Sequence, residues 1–270
     1  MLRKLKSITG MTMVELLITL LLTGIISAAM FKVYVNQHHA WIQQDNVIEM
    51  QQNARAAIDE LTRQLRMSGY DIPSSLDAFD AYNTNPDTIM IYYKIASCDA
   101  PIEHKMPKPS AELRCDGHDI SCFYDGQFAY IFDPVTEVGE FFTISKVQTA
   151  AGHIQHNTDP LSQSYPLGSE VMSVEFVKFY IDNSDTAHPA LMVHYPGMTP
   201  QVYAEDIDDL QFTYTLKNGV TVDTPVLKDD VRQISITLRA RTPNPDNELL
   251  NNPYRYRTYQ SKVYLRNLGT

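Results

Sequence analysis

Three scarcities limit what this 270-residue chain can be. Basic residues are too few, 22 Lys and Arg against 32 Asp and Glu, so the chain lacks the positive surface that nucleic-acid binding needs. Its three cysteines are too few for a disulfide-rich scaffold. It has no Gly-x-Ser-x-Gly elbow, P-loop, dinucleotide fingerprint or His-Glu-x-x-His helix. We therefore expect no nucleic acid, no cofactor and no enzymatic activity.

Charge is also scarce along residues 11–31, where Glu15 is the single charged residue. As a helix this run would be about 32 Å long, enough to cross a hydrocarbon core of about 30 Å. Three of the first six residues are basic, which predicts an N-terminus in the cytoplasm and a remainder that faces outward. Small residues at 27–29 also allow an ordinary secretory signal peptide.

Glu15 argues against both a plain anchor and a signal peptide, because a carboxylate in an apolar run costs free energy in either. A functional reason for Glu15 is therefore expected. The run Gly10-Met11-Thr12-Met13-Val14-Glu15, preceded by a short basic leader, resembles the processing signature of type IV prepilins and pseudopilins. The resemblance implies that a prepilin peptidase cuts between Gly10 and Met11 and methylates the new Met11 amine. It also implies that Glu15 acts in subunit assembly.

Cutting at Gly10 would remove the basic leader and create a new amine at Met11. In a bundle of such helices, buried charges must be neutralised, so this amine and Glu15 of a neighbouring subunit are expected to pair. The expected location is therefore the inner membrane, with a single pass and a periplasmic head. Assembly would then carry the subunit into an extracellular pilus or a periplasmic pseudopilus.

A helical pattern continues beyond the apolar run and ends near Ser68-Gly69, ahead of Pro73. The predicted stripe of this second half comprises Val47, Gln51, Ala54, Ile58, Leu61, Leu65 and Ser68. The expected organisation is a cleaved leader (1–10), a membrane and assembly half (11–35), an amphipathic half (36–69) and a β-rich head (70–270). Trp41 suits an interfacial anchor and an ordinary packing residue equally well.

The head is expected to be mostly strands, because short apolar or alternating runs are separated by turn signals such as Asn218-Gly219. The strand candidates are residues 89–95, 128–132, 140–147, 171–181, 190–195, 210–216, 234–240 and 259–265. The stretch 99–112 is expected to be the least structured part. One long helix packed on a mostly antiparallel head is an α+β, type IV pilin-like fold.

A narrower resemblance is to PilW-type minor pilins. The similar segments are RAAIDEL at 55–61, LRMSGY at 65–70, IDDLQFTY at 207–214, VR at 231–232 and VYLRNL at 263–268. It implies a subunit that helps to start or cap a pilus, with other minor pilins, the major pilin, the assembly platform and the bilayer as partners. A J-type pseudopilin of type II secretion is the nearest alternative. A membrane-tethered exported enzyme or binding domain is the alternative from a different class.

Cys98, Cys115 and Cys122 all follow the apolar run, so an oxidising compartment is expected to join two of them. The expected pairs are Cys98 with Cys115 or Cys115 with Cys122. No metal site is expected. Zinc at Cys115, His118 and Cys122 would lack a fourth ligand. The acids at 205–209 lack the spacing of a calcium loop, and the His pair at 153 and 156 suits solvent better.

Overall fold

The computed structural model describes residues 10–73, 75–94, 98–156, 160–246, 249 and 253–268. The chain divides into two compact units, residues 1–48 and 49–270. One helix, α1 (Met13–Met67), begins in the first unit and ends in the second. Within the first unit, the described residues 10–48 include no buried residue.

In the second unit, α1 buries one face. The buried residues are Met50, Ala54, Ala57, Glu60, Leu61, Gln64 and Leu65. Their spacing of three and four is that of a single helical stripe. The predicted stripe shares Ala54, Leu61 and Leu65 with it. The helix ends at Met67, and Gly69 follows with φ +77° and donates its N–H to the Tyr92 carbonyl over 2.9 Å. A left-handed residue just after the last turn is a common helix stop.

The rest of this unit is built from sixteen strands in the described residues. They are β1 Phe79–Tyr82, β2 Thr88–Tyr93, β3 Asp99–Pro101, β4 Leu113–Arg114, β5 Phe128–Asp133, β6 Val138–Thr143, β7 Lys146–Gln148, β8 His153–Gln155, β9 Glu170–Met172, β10 Glu175–Asp182, β11 Ala190–His194, β12 Gln201–Glu205, β13 Ile207–Leu216, β14 Thr221–Val222, β15 Val231–Arg241 and β16 Tyr256–Tyr264. A 3₁₀ turn, Lys228–Asp230, precedes β15.

The described strands form four sheets, and every strand pair is antiparallel. Sheet 1 has the order β1-β2-β10-β11-β12 and sheet 2 the order β14-β13-β15-β16. Sheet 3 is β3-β9-β5-β6 and sheet 4 is β4-β8-β7. The α+β prediction, one long helix with antiparallel sheets, is thus confirmed. Each strand candidate falls on or beside a strand, although residue 95 lies outside the described residues.

Sheets 1 and 2 share a core with the buried face of α1. The rings of Phe79 in β1 and Tyr214 in β13 stack with centroids 5.6 Å apart. Buried Asp87 accepts the Phe212 N–H over 2.8 Å, which ties the β1–β2 connection to β13. Side chains of α1 also reach strands of both sheets, since Asn53 donates to the Glu205 carbonyl and Thr62 contacts the Ser261 hydroxyl.

A second core lies between sheets 3 and 4, and it includes part of the stretch expected to be least structured. Residues 99–101 form β3, which pairs with β9, and Ile102 and Met106 are buried in the cluster. The expectation for 99–112 was therefore wrong in this part. The partner strand lies far along the sequence, so no local pattern reveals it.

The cysteine pairing also differs from the two that we expected. Cys98 is bonded to Cys122, with Cα atoms 5.8 Å apart, and Cys115 is free and buried. Both expected pairs involved Cys115 and are wrong. The physical reason is the alternation of β4, which buries Leu113, exposes Arg114 and so turns Cys115 inward. Burial, with smaller contributions from the charges of two nearby acids, raises the pKa of the Cys115 thiol to about 12.

Candidate processing and assembly site

The N-terminal end of α1 carries the residues of the processing signature. Gly10 and Met11 precede the helix and are exposed. A Cβ added to Gly10 would meet no atom within 4 Å. Residues 1–9 of the predicted leader (1–10), with its basic side chains, lie outside the described residues. The described backbone on the C-terminal side of the Gly10–Met11 bond is therefore accessible to a peptidase.

Thr12 and Glu15 together close the first turn of the helix. The Thr12 N–H donates to Glu15 Oε2 over 2.8 Å, and the Thr12 hydroxyl lies 3.0 Å from the same oxygen. The Glu15 N–H in turn reaches Thr12 Oγ1 over 3.3 Å. This reciprocal pattern is a capping box, which satisfies backbone donors that a helix start leaves unpaired. Glu15 therefore has a structural partner within its own chain.

The two oxygens of the Glu15 carboxylate differ in their contacts. Both bonds from Thr12 end on Oε2. Within the described part of the chain, Oε1 has no hydrogen-bond partner. One half of the carboxylate thus holds the helix start, while the other half is free to accept a donor from outside the subunit.

The surface of α1 that follows is apolar and exposed. Side chains such as Leu17, Leu21 and Ile25 are all more than half exposed. The hydroxyls of Thr19 and Thr23 donate to the carbonyls of Leu16 and Thr19 over 2.9 and 2.7 Å, so neither hydroxyl needs water. Among the described residues, α1 is the single helix that is both long enough and apolar enough to cross a membrane. This surface needs lipid or other apolar helices to cover it.

An aromatic group lies on the helix just beyond the apolar run. The His38 ring stacks between Tyr34 and Trp41, with centroid separations of 6.1 and 6.2 Å. Tyr34 and Trp41 are exposed. The spacing of four and three residues places the three rings on one side of the helix. Trp41 is thus not a core residue in the described chain.

The remaining candidate ligands do not form a metal centre. In the described ranges, no group of three or more His, Cys, Asp or Glu side chains is arranged to hold a metal ion. Cys122 is in the disulfide, and His118 lies 2.8 Å from Glu103. His156 lies 2.7 Å from the Ala111 carbonyl and is buried.

The structure adds one residue to the set that the sequence predicts. Cleavage between Gly10 and Met11 and the assembly role of Glu15 stay predictions, and the structure shows Thr12 as the partner of Glu15. The signal was present, because Thr12 and Glu15 have the Thr-x-x-Glu spacing of a capping box.

Comparison with known proteins gives little beyond this geometry. No protein-family model matches the chain, and no curated protein matches it. Among solved structures it is similar to a type IV-like pilin from Thermus thermophilus, with 9% sequence identity and a TM-score of 0.40. The match covers 81% of this chain and 97% of the pilin. This similarity is too low to assign a function.

Proposed function

We propose that this chain is a type IV pilin-like subunit, cut after Gly10, anchored by α1 in the inner membrane and then built into a filament as a minor pilin. The observation that carries the proposal is the Glu15 carboxylate at the start of an exposed apolar helix, with Oε1 free and a cleavage signature immediately before it. A plain anchor or a signal peptide has no use for such a group.

We propose that Oε1 of Glu15 accepts a hydrogen bond from a neighbouring subunit during assembly. In the lone subunit, Glu15 lies near the cytoplasmic edge of the bilayer, where water and head groups reach it. In a filament the apolar helices cover one another, and an unpaired carboxylate between them is costly. The methylated amine of Met11 on an adjacent subunit is a cation that cleavage itself creates, and Oε1 is the acceptor available to it.

A minor role, in starting or capping the filament, is supported by the segments that resemble PilW-type minor pilins. They are dispersed in sequence but adjacent in the fold. Three of them lie on β13, β15 and β16, which are neighbours in sheet 2. The last, at 263–268, is joined to the helix end because Asn267 donates to the carbonyls of Arg66 and Ser68 over 3.3 and 3.2 Å. The other minor pilins, the major pilin and the assembly platform are the proposed partners.

The proposed topology places the 49–270 unit in the periplasm and later on the pilus. The Cys98–Cys122 bond supports this, since disulfides persist outside the reducing cytosol. The group formed by Tyr34, His38 and Trp41 suits the periplasmic membrane–water interface of the inner membrane, because amphipathic rings are enriched at such interfaces. Roughly 35 Å of helix separates Met11 from Tyr34, the nearest ring of this group, which matches the bilayer thickness.

The first test is processing, with a matched glycine as control. Gly10→Leu should leave an uncut precursor in the inner membrane, because a side chain at that position crowds the peptidase. Gly24→Leu should be cut normally, although a Cβ at Gly24 also meets nothing within 4 Å. Mass spectrometry of the wild-type mature chain should show Met11 at the N-terminus with one added methyl group. A mature chain that begins at Met30, or an intact leader, would reject the proposal.

The second test separates the cap from the charge. Glu15→Gln keeps a capping-box residue but removes the charge, so it should be inserted and cut yet be missing from sheared filaments. Thr12→Val removes the hydroxyl of the cap and keeps the charge, so it should assemble. Glu15→Ala should fail like Glu15→Gln. Normal amounts of Glu15→Gln in filaments would show that the charge has no role. Recovery of the wild type only from the periplasm, never from surface filaments, would indicate the pseudopilus alternative.

A further inference from the structure

A cleft of about 470 Å³ opens on the 49–270 unit, and none of its lining residues belongs to the segments that resemble those of minor pilins. One wall is the segment 124–128, which leads into β5, and the other is the segment 195–201, which joins β11 to β12. Glu175, the first residue of β10, also lines the cleft. The volume is in the range of small-ligand pockets, roughly 300–1,000 Å³.

The walls of the cleft are mainly aromatic and apolar. Tyr124 and Met198 are exposed, and Tyr195 and Phe128 are half-buried. The Phe128 ring is held by Phe141 and Phe176, with centroids 4.8 and 5.1 Å away. Aromatic faces of this kind attract cations as well as apolar groups.

One polar side chain of the cleft supports the wall. Buried Gln127 donates from Nε2 to the Ser173 hydroxyl over 2.8 Å and accepts the Tyr124 N–H over 3.1 Å. Both ends of its amide are therefore occupied. The neutral polar side chains that remain in the described lining are Gln201 and the two tyrosines, and Glu175 is its single charged residue. The cleft therefore suits a ligand with one positively charged group on an apolar stem.

Glu175 provides the charge. Burial alone raises the pKa of its carboxyl, and no cation contributes to the shift. Among the residues that the structure describes, the Glu175 carboxylate has no hydrogen-bond or ion-pair partner. Arg63, whose charge acts on the nearby Tyr195, is committed to Glu60 through Nε and Nη2 over 2.9 and 2.5 Å. A partly desolvated carboxylate without a cation is unfavourable unless something else supplies one.

We propose that this cleft binds an organic cation, an ammonium or guanidinium group on an apolar stem, with Glu175 as the counter-charge and Tyr124, Tyr195 and Phe128 around the stem. The site does not depend on the proposed assembly function, because none of its residues belongs to the processing signature. The cation belongs either to a free amine or to a lysine or arginine side chain of another protein.

The test is calorimetric binding to the full chain in non-ionic detergent at fixed ionic strength. The probes are butylguanidinium, its neutral counterpart butylurea, and an arginine tripeptide with blocked ends beside its citrulline analogue. At least one cationic probe should bind on the order of tenfold more tightly than its neutral counterpart. Binding by the tripeptide alone would assign the site to a partner's side chain, and binding by butylguanidinium to any accessible organic cation. Equal binding of cationic and neutral probes, or no binding of either cation, would overturn the proposal.

Two variants locate the binding on the cleft. Glu175→Gln should lose about tenfold in affinity, whereas Glu170→Gln, at another half-buried strand glutamate outside the cleft, should bind as the wild type does. Glu175→Gln should also unfold at the same or a higher temperature, because it removes an unpaired charge. A lower unfolding temperature would reveal a structural partner of Glu175 and overturn its assignment as a binding group. Unchanged affinity in Glu175→Gln would do the same.

Discussion

Reduction of the Cys98–Cys122 disulfide should destabilise the 49–270 unit by a predictable amount. The two cysteines are 24 residues apart in sequence, and the bond restricts the unfolded chain to conformations in which this loop is closed. The loop-entropy relation gives about 3.5 kcal/mol at 25 °C for a loop of this length. Cys98 is buried and Cys122 is exposed, so the bond also fixes the loop before β5 to the edge of the second core.

The measurement is urea unfolding of the full chain in detergent, with and without reductant. Peptide mapping of the unreduced protein should first recover the Cys98 and Cys122 peptides as one species, with Cys115 as the free thiol. In the folded state, a thiol of pKa about 12 is only about one part in 10⁴ thiolate at pH 8. Cys115 should therefore resist alkylation until the chain unfolds.

Cys115→Ala is the matched control. It should cost about 1 kcal/mol by itself, since a small buried group is lost. It should nevertheless show the same difference between oxidised and reduced protein as the wild type. Three outcomes would contradict this prediction: a bridge to Cys115, rapid alkylation of Cys115 in the folded state, or a decrease in unfolding free energy on reduction of less than about 1 kcal/mol.

Two further outcomes follow from contacts within the 49–270 unit. The Lys94 ammonium, 3% exposed, lies 2.5 Å from Asp99 and 3.1 Å from Asp71, whose side chains are 40% and 58% exposed. The double variant Asp71→Asn with Asp99→Asn should therefore destabilise the unit more than Lys94→Met does, because only the double variant leaves a buried charge unpaired. The loss should be smaller than the roughly 3–5 kcal/mol of a fully buried pair, since both aspartates are partly exposed. Burial alone would lower the pKa of Lys94, but the bonds to both aspartates outweigh it and raise the pKa. The stabilisation by the Lys94 ion pairs should thus persist up to about pH 10 and decrease as the pH rises through the raised pKa of Lys94. Urea unfolding at a series of pH values that shows no such decrease would contradict this. Gly139→Ala should lower the free energy of unfolding by about 1–3 kcal/mol, because the added Cβ would lie 2.6 Å from the Ile131 carbonyl oxygen and against the Tyr130 ring. An unchanged melting temperature would contradict this and show that β6 relaxes.

Local patterns predicted the elements well where one face of an element is buried. Ile234, Ile236 and Leu238 alternate with polar residues, and they are fully buried in β15. The Asn218-Gly219 signal falls at the connection of β13 and β14, where Gly219 has φ +85°. A period of two and a turn residue are properties of neighbouring residues, so the sequence alone displays them.

Contacts between distant residues could not be predicted in this way. The β3 strand is stabilised by β9, and the partner of Cys98 depends on how Cys115 faces after β4. The cleft likewise combines three segments, around residues 126, 175 and 197, that no motif connects. Each of these features is fixed only when the sheets have packed, which is a tertiary event.

Glu15 shows how a strong motif can conceal a simpler role of the same residue. Its position in an apolar run led to an assembly function, yet its first contact is with Thr12 in its own chain. The proposed assembly role is compatible with the cap, because the cap uses Oε2 and a neighbour would bind Oε1. A lone subunit with its carboxylate already oriented by the cap would lose less conformational entropy on docking. Thr12→Val should keep most of this orientation, because the bond from the backbone N–H of residue 12 to Oε2 does not need the hydroxyl, which is why that variant is expected to assemble.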